Sequence, residues 1–150
     1  MAETGTYFLK AFPINGVAQP EIDIVEYFPG LRVSKVTGLL DQGQNLAVYS
    51  ERIPESEALQ VYISPNPRFS NIEIEMTVVF KGDDRYSSWQ SFKAFISGKK
   101  LTYRDTVRNV KIDVFLSSAL KPSDEIYKGS SPYFMVPIKF TAMTGKSTNI

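Results

Sequence analysis

A chain of 150 residues that is 43% apolar and 13% aromatic has the material for one buried core, because a domain of this length removes about two-thirds of its unfolded surface from water. It contains neither histidine nor cysteine, which excludes disulfides, thiolate chemistry, the commonest general base and metal ligand, and every Ser-His or Cys-His nucleophile pair. With 17 basic and 16 acidic residues the formal charge is +1, too small for a global attraction to nucleic acid or anionic lipid. The opening MAETGTYFLKAF lacks the basic and apolar regions of a secretion signal. No apolar run approaches the roughly 18 residues of a membrane span, and no N-glycosylation sequon occurs. The expectation is a soluble single domain made in the cytosol.

Residues 6–12 form a short apolar run stopped by Pro13, and 14–21, with Gly16 and Pro20, read as loop. Residues 22–28 alternate apolar with acidic side chains, as a half-exposed strand does. Pro29-Gly30 makes a turn, a strand covers 31–40, and a turn at 41–44 leads to a strand over 46–53. Residues 54–57 are loop. Leu59, Val61 and Ile63 predict the inward face of a short strand, which Pro65-Asn66-Pro67 cannot continue.

The clearest strand is 71–81, with Ile72, Ile74, Met76, Val78 and Phe80 on one face and Glu73, Glu75 and Thr77 on the other. One helix follows over 84–97. Asp83 or Asp84 is placed to cap its start. Tyr86, Trp89, Phe92 and Ile96 form its packing stripe, with the Lys93 stem alongside. Gly98 supplies a left-handed stop, and Lys99-Lys100 suit the negative end of the helix dipole. Residues 101–104 read as a short strand and 108–117 as a longer one, with Val110, Ile112, Val114 and Leu116 inward. Residues 119–131 are a polar loop. The last strand, 133–143, turns Phe134, Val136, Ile138, Phe140 and Ala142 inward, and Pro137 marks an edge position or bulge. Residues 145–150 are expected to be loose or ordered by a partner. The composition therefore predicts a mostly β fold: an antiparallel β-sandwich or small barrel with one flanking α-helix.

Candidate chemistry is sparse. Gly145-Lys146-Ser147 looks like the end of a phosphate loop, but Phe140 stands where the first glycine belongs and no helix is predicted to follow. Glu73, Glu75, Asp83 and Asp84 could supply an acid–base pair, yet a solvated strand face and helix capping account for them. The basic group Lys99, Lys100, Arg104 and Arg108, interleaved by Tyr103, is explained by helix-end and strand-surface charge. Tyr7, Tyr27, Tyr49, Tyr62, Tyr103, Tyr127 and Tyr133 recur in or beside predicted strands, where tyrosine suits protein interfaces. Tyr103, Arg104, Tyr127 and Tyr133 are the candidate interface residues. No catalytic residue, metal or cofactor is expected.

From Ile72 onward the order is a strand (IEIEMTVVFKG), a helix opened by Asp-Arg-Tyr-Ser (DDRYSSWQSFKAFISG), KLTYRDTVR, a strand (NVKIDVFLSS), a polar loop and a final strand (PYFMVPIKFTAM). This order, with Leu101, Tyr103 and Asp105 spelling L-x-Y-x-D after the helix, resembles the N-terminal domain of phage distal tail proteins, which share the tail-tube fold. The earlier YFPGLRVSKVTGLLDQG is similar to that family's opening strands. The resemblance implies a structural, non-enzymatic virion protein of the phage tail, a ring-forming homo-oligomer, typically a hexamer. Such a ring links the tail tube to the baseplate, with neighbouring tail proteins as partners and DNA passing without specific contact. No membrane or small-molecule partner is implied, and the protein is expected in the virion. Loops 13–21, 54–57 and 119–131 are the candidate neighbour contacts. The alternatives are a tube or baseplate subunit of a contractile injection system and a carbohydrate-binding β-sandwich module. The latter would need an exposed aromatic platform, and the lone Trp89 falls on the helix packing side.

Overall fold

The computed structural model describes residues 4–52, 59–66, 68–127 and 131–149. The chain runs through β1 (Tyr7–Ala11), β2 (Glu21–Asp23), α1 (Ile24–Tyr27), β3 (Leu31–Thr37), β4 (Val48–Arg52), β5 (Leu59–Ile63) and β6 (Glu73–Lys81). It continues through α2 (Arg85–Ile96), β7 (Lys100–Asp105), β8 (Val110–Leu116), β9 (Tyr133–Ala142) and β10 (Thr148–Asn149). The main sheet is antiparallel in the order β2-β1-β7-β8-β9-β6-β3, with β10 also on β8; β4 and β5 form a separate hairpin. The mostly β, antiparallel class with a flanking helix is what the structure has. The sandwich is one continuous sheet, curled so that α1 touches both β1 and β3 near its opposite ends.

The centre is the β6–β9 ladder, in register from Glu73↔Thr141 to Lys81↔Tyr133. Its even-numbered pairs, Ile74–Phe140, Met76–Ile138, Val78–Val136 and Phe80–Phe134, are all buried, because alternation puts each apolar residue on the same face. Phe80 stacks on Phe134 at 5.5 Å and meets Trp89 edge-on at 5.7 Å, while Phe28 meets Phe92 edge-on at 5.2 Å. Trp89, Phe92 and Ile96 thus pin α2 to β6. Tyr86, expected on the same stripe, is 55% exposed and lies stacked over Phe134 at 5.6 Å.

Several expectations are corrected. Residues 22–28 do not continue as a strand. Asp23 Oδ1 accepts from Val25 N–H (3.2 Å) and starts α1, which places Ile24, Val25 and Phe28 in the core at helical spacing. Asp84 makes no side-chain cap to α2, since its φ of −91° and ψ of 11° do not give the extended geometry a cap needs. Leu59, Val61 and Ile63 do not face a core: they are 49, 52 and 59% exposed, because β5 pairs only with β4. Residues 145–149 are tied to their own chain rather than loose. Gly43 N–H donates to Gly145 O (2.8 Å), Lys146 bridges Gln42, and Thr148 and Asn149 pair with Lys111 and Val110. A Cβ on Gly145 would lie 2.3 Å from that of Phe69, so only glycine permits this close return. The expected loop 54–57, Pro67, residues 128–130 and Ile150 lie outside the described residues.

Tyr103 is the main correction among the candidate interface residues. Strand β7 turns Leu101, Tyr103 and Asp105 inward, and all three are fully buried. The Tyr103 hydroxyl donates to Asp105 Oδ2 (3.1 Å), and Arg108 donates to the same carboxylate from Nη1 (2.8 Å) and its backbone N–H (3.0 Å). Burial, joined by the Asp105 charge, pushes the Tyr103 phenol far up, so it remains a donor. The L-x-Y-x-D phrase is therefore a packing and hydrogen-bonding unit.

Pro137 pairs opposite Thr77 in the β6 ladder. Ala142 N–H points to Ile72 O and Met143 N–H to Asp113 O, both at 2.8 Å, so odd-numbered β9 residues direct their N–H away from β6. Strand β8 reaches β9 only at Phe140–Ala142. The position without an N–H thus falls where no strand pairs with that flank, between the loop bonds at Met135 and Lys139, a setting that tolerates proline.

Two substitutions test this core. Phe80→Ala is expected to lower unfolding stability by about 3–5 kcal/mol, while Tyr103→Phe removes one bond to a buried carboxylate and costs about 1–2 kcal/mol. Urea unfolding measures both.

Candidate functional site

Three surface features remain once the core is assigned. The first is the flank of β9, covered by the loop that follows β8. Ser123 N–H donates to Met135 O (2.7 Å), Met135 N–H donates to Ser123 Oγ (3.0 Å), and Ile126 and Tyr133 exchange backbone bonds at 2.7 and 2.9 Å. Glu125 latches this loop to α2: it accepts from Arg85 Nε and, at 2.5 Å, from the Tyr86 hydroxyl. The Tyr86 hydrogen bond, with Arg85 beside it, holds the Glu125 carboxyl below its ordinary range. Tyr127, at the end of the loop, is 76% exposed, and Tyr133 is half-buried at the start of β9. The expected neighbour loop 119–131 is thus stitched to its own chain over 123–126 and leaves Tyr127 free at the surface.

The second feature is the outward face of β2, β1, β7, β8 and β10. Pairing aligns Glu21, Lys10, Thr102 and Asp113 in one row, and Phe8, Arg104, Lys111 and Thr148 in the next. With Lys146 at the rim, all of these residues except Phe8 line an open cleft of about 550 Å³. Arg104 grips Glu21 through Nε (3.0 Å) and Nη2 (2.7 Å) and lies 4.1 Å over the Phe8 ring. The Glu21 bonds push the Arg104 pKa up and keep its charge. Thr102 Oγ1 donates to Asp113 Oδ1 at 2.8 Å. Both carboxylates are engaged, whereas Lys10 and Lys111 form no ion pair among the described residues. The sequence did not mark this face, since four cations on separate segments converge only when the strand order is known.

The third feature is the β4–β5 hairpin. The register Val48↔Ile63 and Ser50↔Val61 places Val48, Leu59, Val61 and Ile63 on one side, all 42% exposed or more. Leu46, just before it, is 60% exposed.

The remaining candidates do not converge. Glu73 and Glu75 project from the outward face of β6, and Asp83 and Asp84 lie exposed before α2. The basic group divides: Lys99 lies over Phe95 (5.2 Å), Arg104 pairs with Glu21, and Arg108 with Asp105. Trp89, 6% exposed, offers no sugar platform. Among the described residues no group of three or more acidic side chains could hold a metal ion, and no helix is long and apolar enough to cross a membrane.

No protein-family model matches the chain, and no curated protein matches it. Among solved structures it is similar to the Dit protein of phage SPP1, described as a paradigm of the hub adsorption apparatus in phages that infect Gram-positive bacteria. The TM-score is 0.54 at 11% identity, over 96% of this chain and 52% of that one. The chain spans about half the length of that structure. The likeness lies in the fold, and it agrees with the resemblance to distal tail proteins read from the order of elements after Ile72.

The Glu125 latch gives a pH prediction. A carboxyl with a depressed folded pKa stabilises the loop at and above its ordinary value of 4.5, and that contribution is lost as pH falls through the lower folded value. Carboxyl NMR should give a Glu125 midpoint below 4.5, with amide protection at Ile126 and Met135 lost in the same range.

Proposed function

We propose that the chain is a structural subunit of a phage tail, a distal tail or tube-related protein that assembles with copies of itself into a ring between the tail tube and the baseplate. The observation that carries this reading is the hairpin β4–β5. A two-stranded sheet is marginal alone in water, and this one bares Val48, Leu59, Val61 and Ile63 on a single side. Contiguous exposed apolar surface of this kind marks an interaction site. Covering it with an identical neighbour, head to tail, closes a ring when the rotation permits.

The likeness to a phage hub protein supports the setting. The ring is a hexamer, its axis leaves a channel through which DNA passes without sequence-specific contact, and neighbouring tail proteins stack above and below. The protein acts by assembly rather than catalysis and works in the virion. The composition fits this reading: the chain has no histidine or cysteine, and among the described residues no three acidic side chains group to hold a metal ion.

Native mass spectrometry and negative-stain images of the purified chain should show closed rings of defined stoichiometry. Val61→Glu with Ile63→Glu should leave monomers with an unchanged thermal midpoint, because neither side chain supports the core. A wild-type chain that stays monomeric at high concentration would overturn the assignment.

A further inference from the structure

We propose that the cleft on the outward face of β1, β7 and β8 is an anion site that takes a phosphate group, whether free phosphate or the phosphodiester of a nucleic-acid backbone. It holds Lys10, Arg104, Lys111 and Lys146 against Glu21 and Asp113, four positive charges less two negative. That local balance of +2 lies in a chain whose whole charge is +1, so the remainder of the molecule is on balance negative and the cleft is where positive charge collects. Lys146 belongs to Gly145-Lys146-Ser147, the tripeptide that resembles the end of a phosphate loop. Here it adds a cation at the rim, 5.6 Å from the Phe69 ring, with its backbone bridged to Gln42.

Strand pairing sets these cations against one another. Arg104 on β7 lies directly opposite Lys111 on β8, and like charges facing each other across a strand pair are destabilising. The nearby carboxylates do not relieve this. Lys10 lies directly opposite Glu21, yet Glu21 is gripped by Arg104 through both oxygens, and Asp113 accepts from the Thr102 hydroxyl. Lys10 and Lys111 are left with no ion pair among the described residues. Arg104, on the strand between theirs, is held by Glu21 and by the Phe8 ring at 4.1 Å. Glu21 takes its Nε and Nη2, which leaves Nη1 without a hydrogen bond among the described residues. A fixed guanidinium flanked by two free ammonium groups is a donor set suited to phosphate oxygens. The charge also matches. A single carboxylate would neutralise half of the surplus, whereas a phosphate monoester carries about −1.5 to −2 near neutral pH, and two adjacent diesters of a nucleic-acid strand carry one negative charge each. An anion seated there also screens Arg104 from Lys111.

Isothermal titration of the full chain with inorganic phosphate near neutral pH tests this. Phosphate should bind saturably, and acetate at equal ionic strength should bind about tenfold more weakly. Lys10→Ala with Lys111→Ala should weaken phosphate binding about tenfold, with thermal melting confirming the fold. Lys35→Ala with Lys121→Ala, which removes two exposed lysines outside the cleft, should leave it unchanged. A short DNA duplex separates the two sources. Displacement of phosphate by duplex, with an affinity that falls as salt rises and that Lys10→Ala with Lys111→Ala reduces, assigns the site to a nucleic-acid backbone; phosphate binding that duplex leaves untouched assigns it to free phosphate. Phosphate binding that acetate equals, or that Lys10→Ala with Lys111→Ala leaves intact, would overturn the proposal. Phosphate binding seen in Val61→Glu with Ile63→Glu but absent from assembled wild type would show that a second copy fills the cleft, and would overturn it as well. Ring formation is read separately by native mass, so either reading can fail alone.

Discussion

The β6–β9 ladder is the constraint on which the rest of the fold depends. Four consecutive inward pairs, from Ile74–Phe140 to Phe80–Phe134, are buried without remainder. Each such side chain contributes about 1.5–3 kcal/mol when removed from water, and a slip of one residue would turn all of them outward. Strand β3 hangs on one edge of this ladder and β8 on the end of the other. Helix α2 is held to it through Phe80, which touches Trp89, Phe92 and Phe134.

A core filled this completely leaves recognition to the outside. Among the described residues the buried charged side chain, Asp105, is used up by Tyr103 and Arg108 and braces the turn between β7 and β8. What remains available is the outer surface: a cationic strand face, a latched loop and an amphipathic arm. Their chemistry is charge, apolar area and shape.

Much of this was legible in the sequence because alternation is a local signal. Strands β6, β8 and β9, the α2 stripe at Trp89, Phe92 and Ile96, and the edge setting of Pro137 are each written in a window of ten or so residues. The segment that forms β2 and α1 is ambiguous in sequence because its apolar residues at 22, 24, 25 and 28 fit both periods over so short a stretch, and the Asp23 cap decides between them. Tyr103 suits an interface by residue type alone, but it shares the phase of Leu101 and Asp105, which turns it inward. The hairpin failed in the opposite sense. Leu59, Val61 and Ile63 carry a core-facing pattern, and nothing local says that the face they form is left exposed among the described residues. The cleft needed the pairing order β1-β7-β8, a long-range property that one sequence does not display.

The stitched flank of β9 has a bearing on how copies of this chain can join. An open strand edge invites further strands to add without limit, the route to fibrils. Here Ser123 and Ile126 occupy that edge at Met135 and Tyr133, and Pro137 interrupts it with a missing donor. Strand addition at the long central ladder is thereby blocked, and on the ring reading proposed above copies join instead through the exposed side of the hairpin. A contact made by side chains rather than by shared backbone ladders is specified residue by residue, so it holds one geometry, and the rotation it imposes between neighbours decides whether a circle closes.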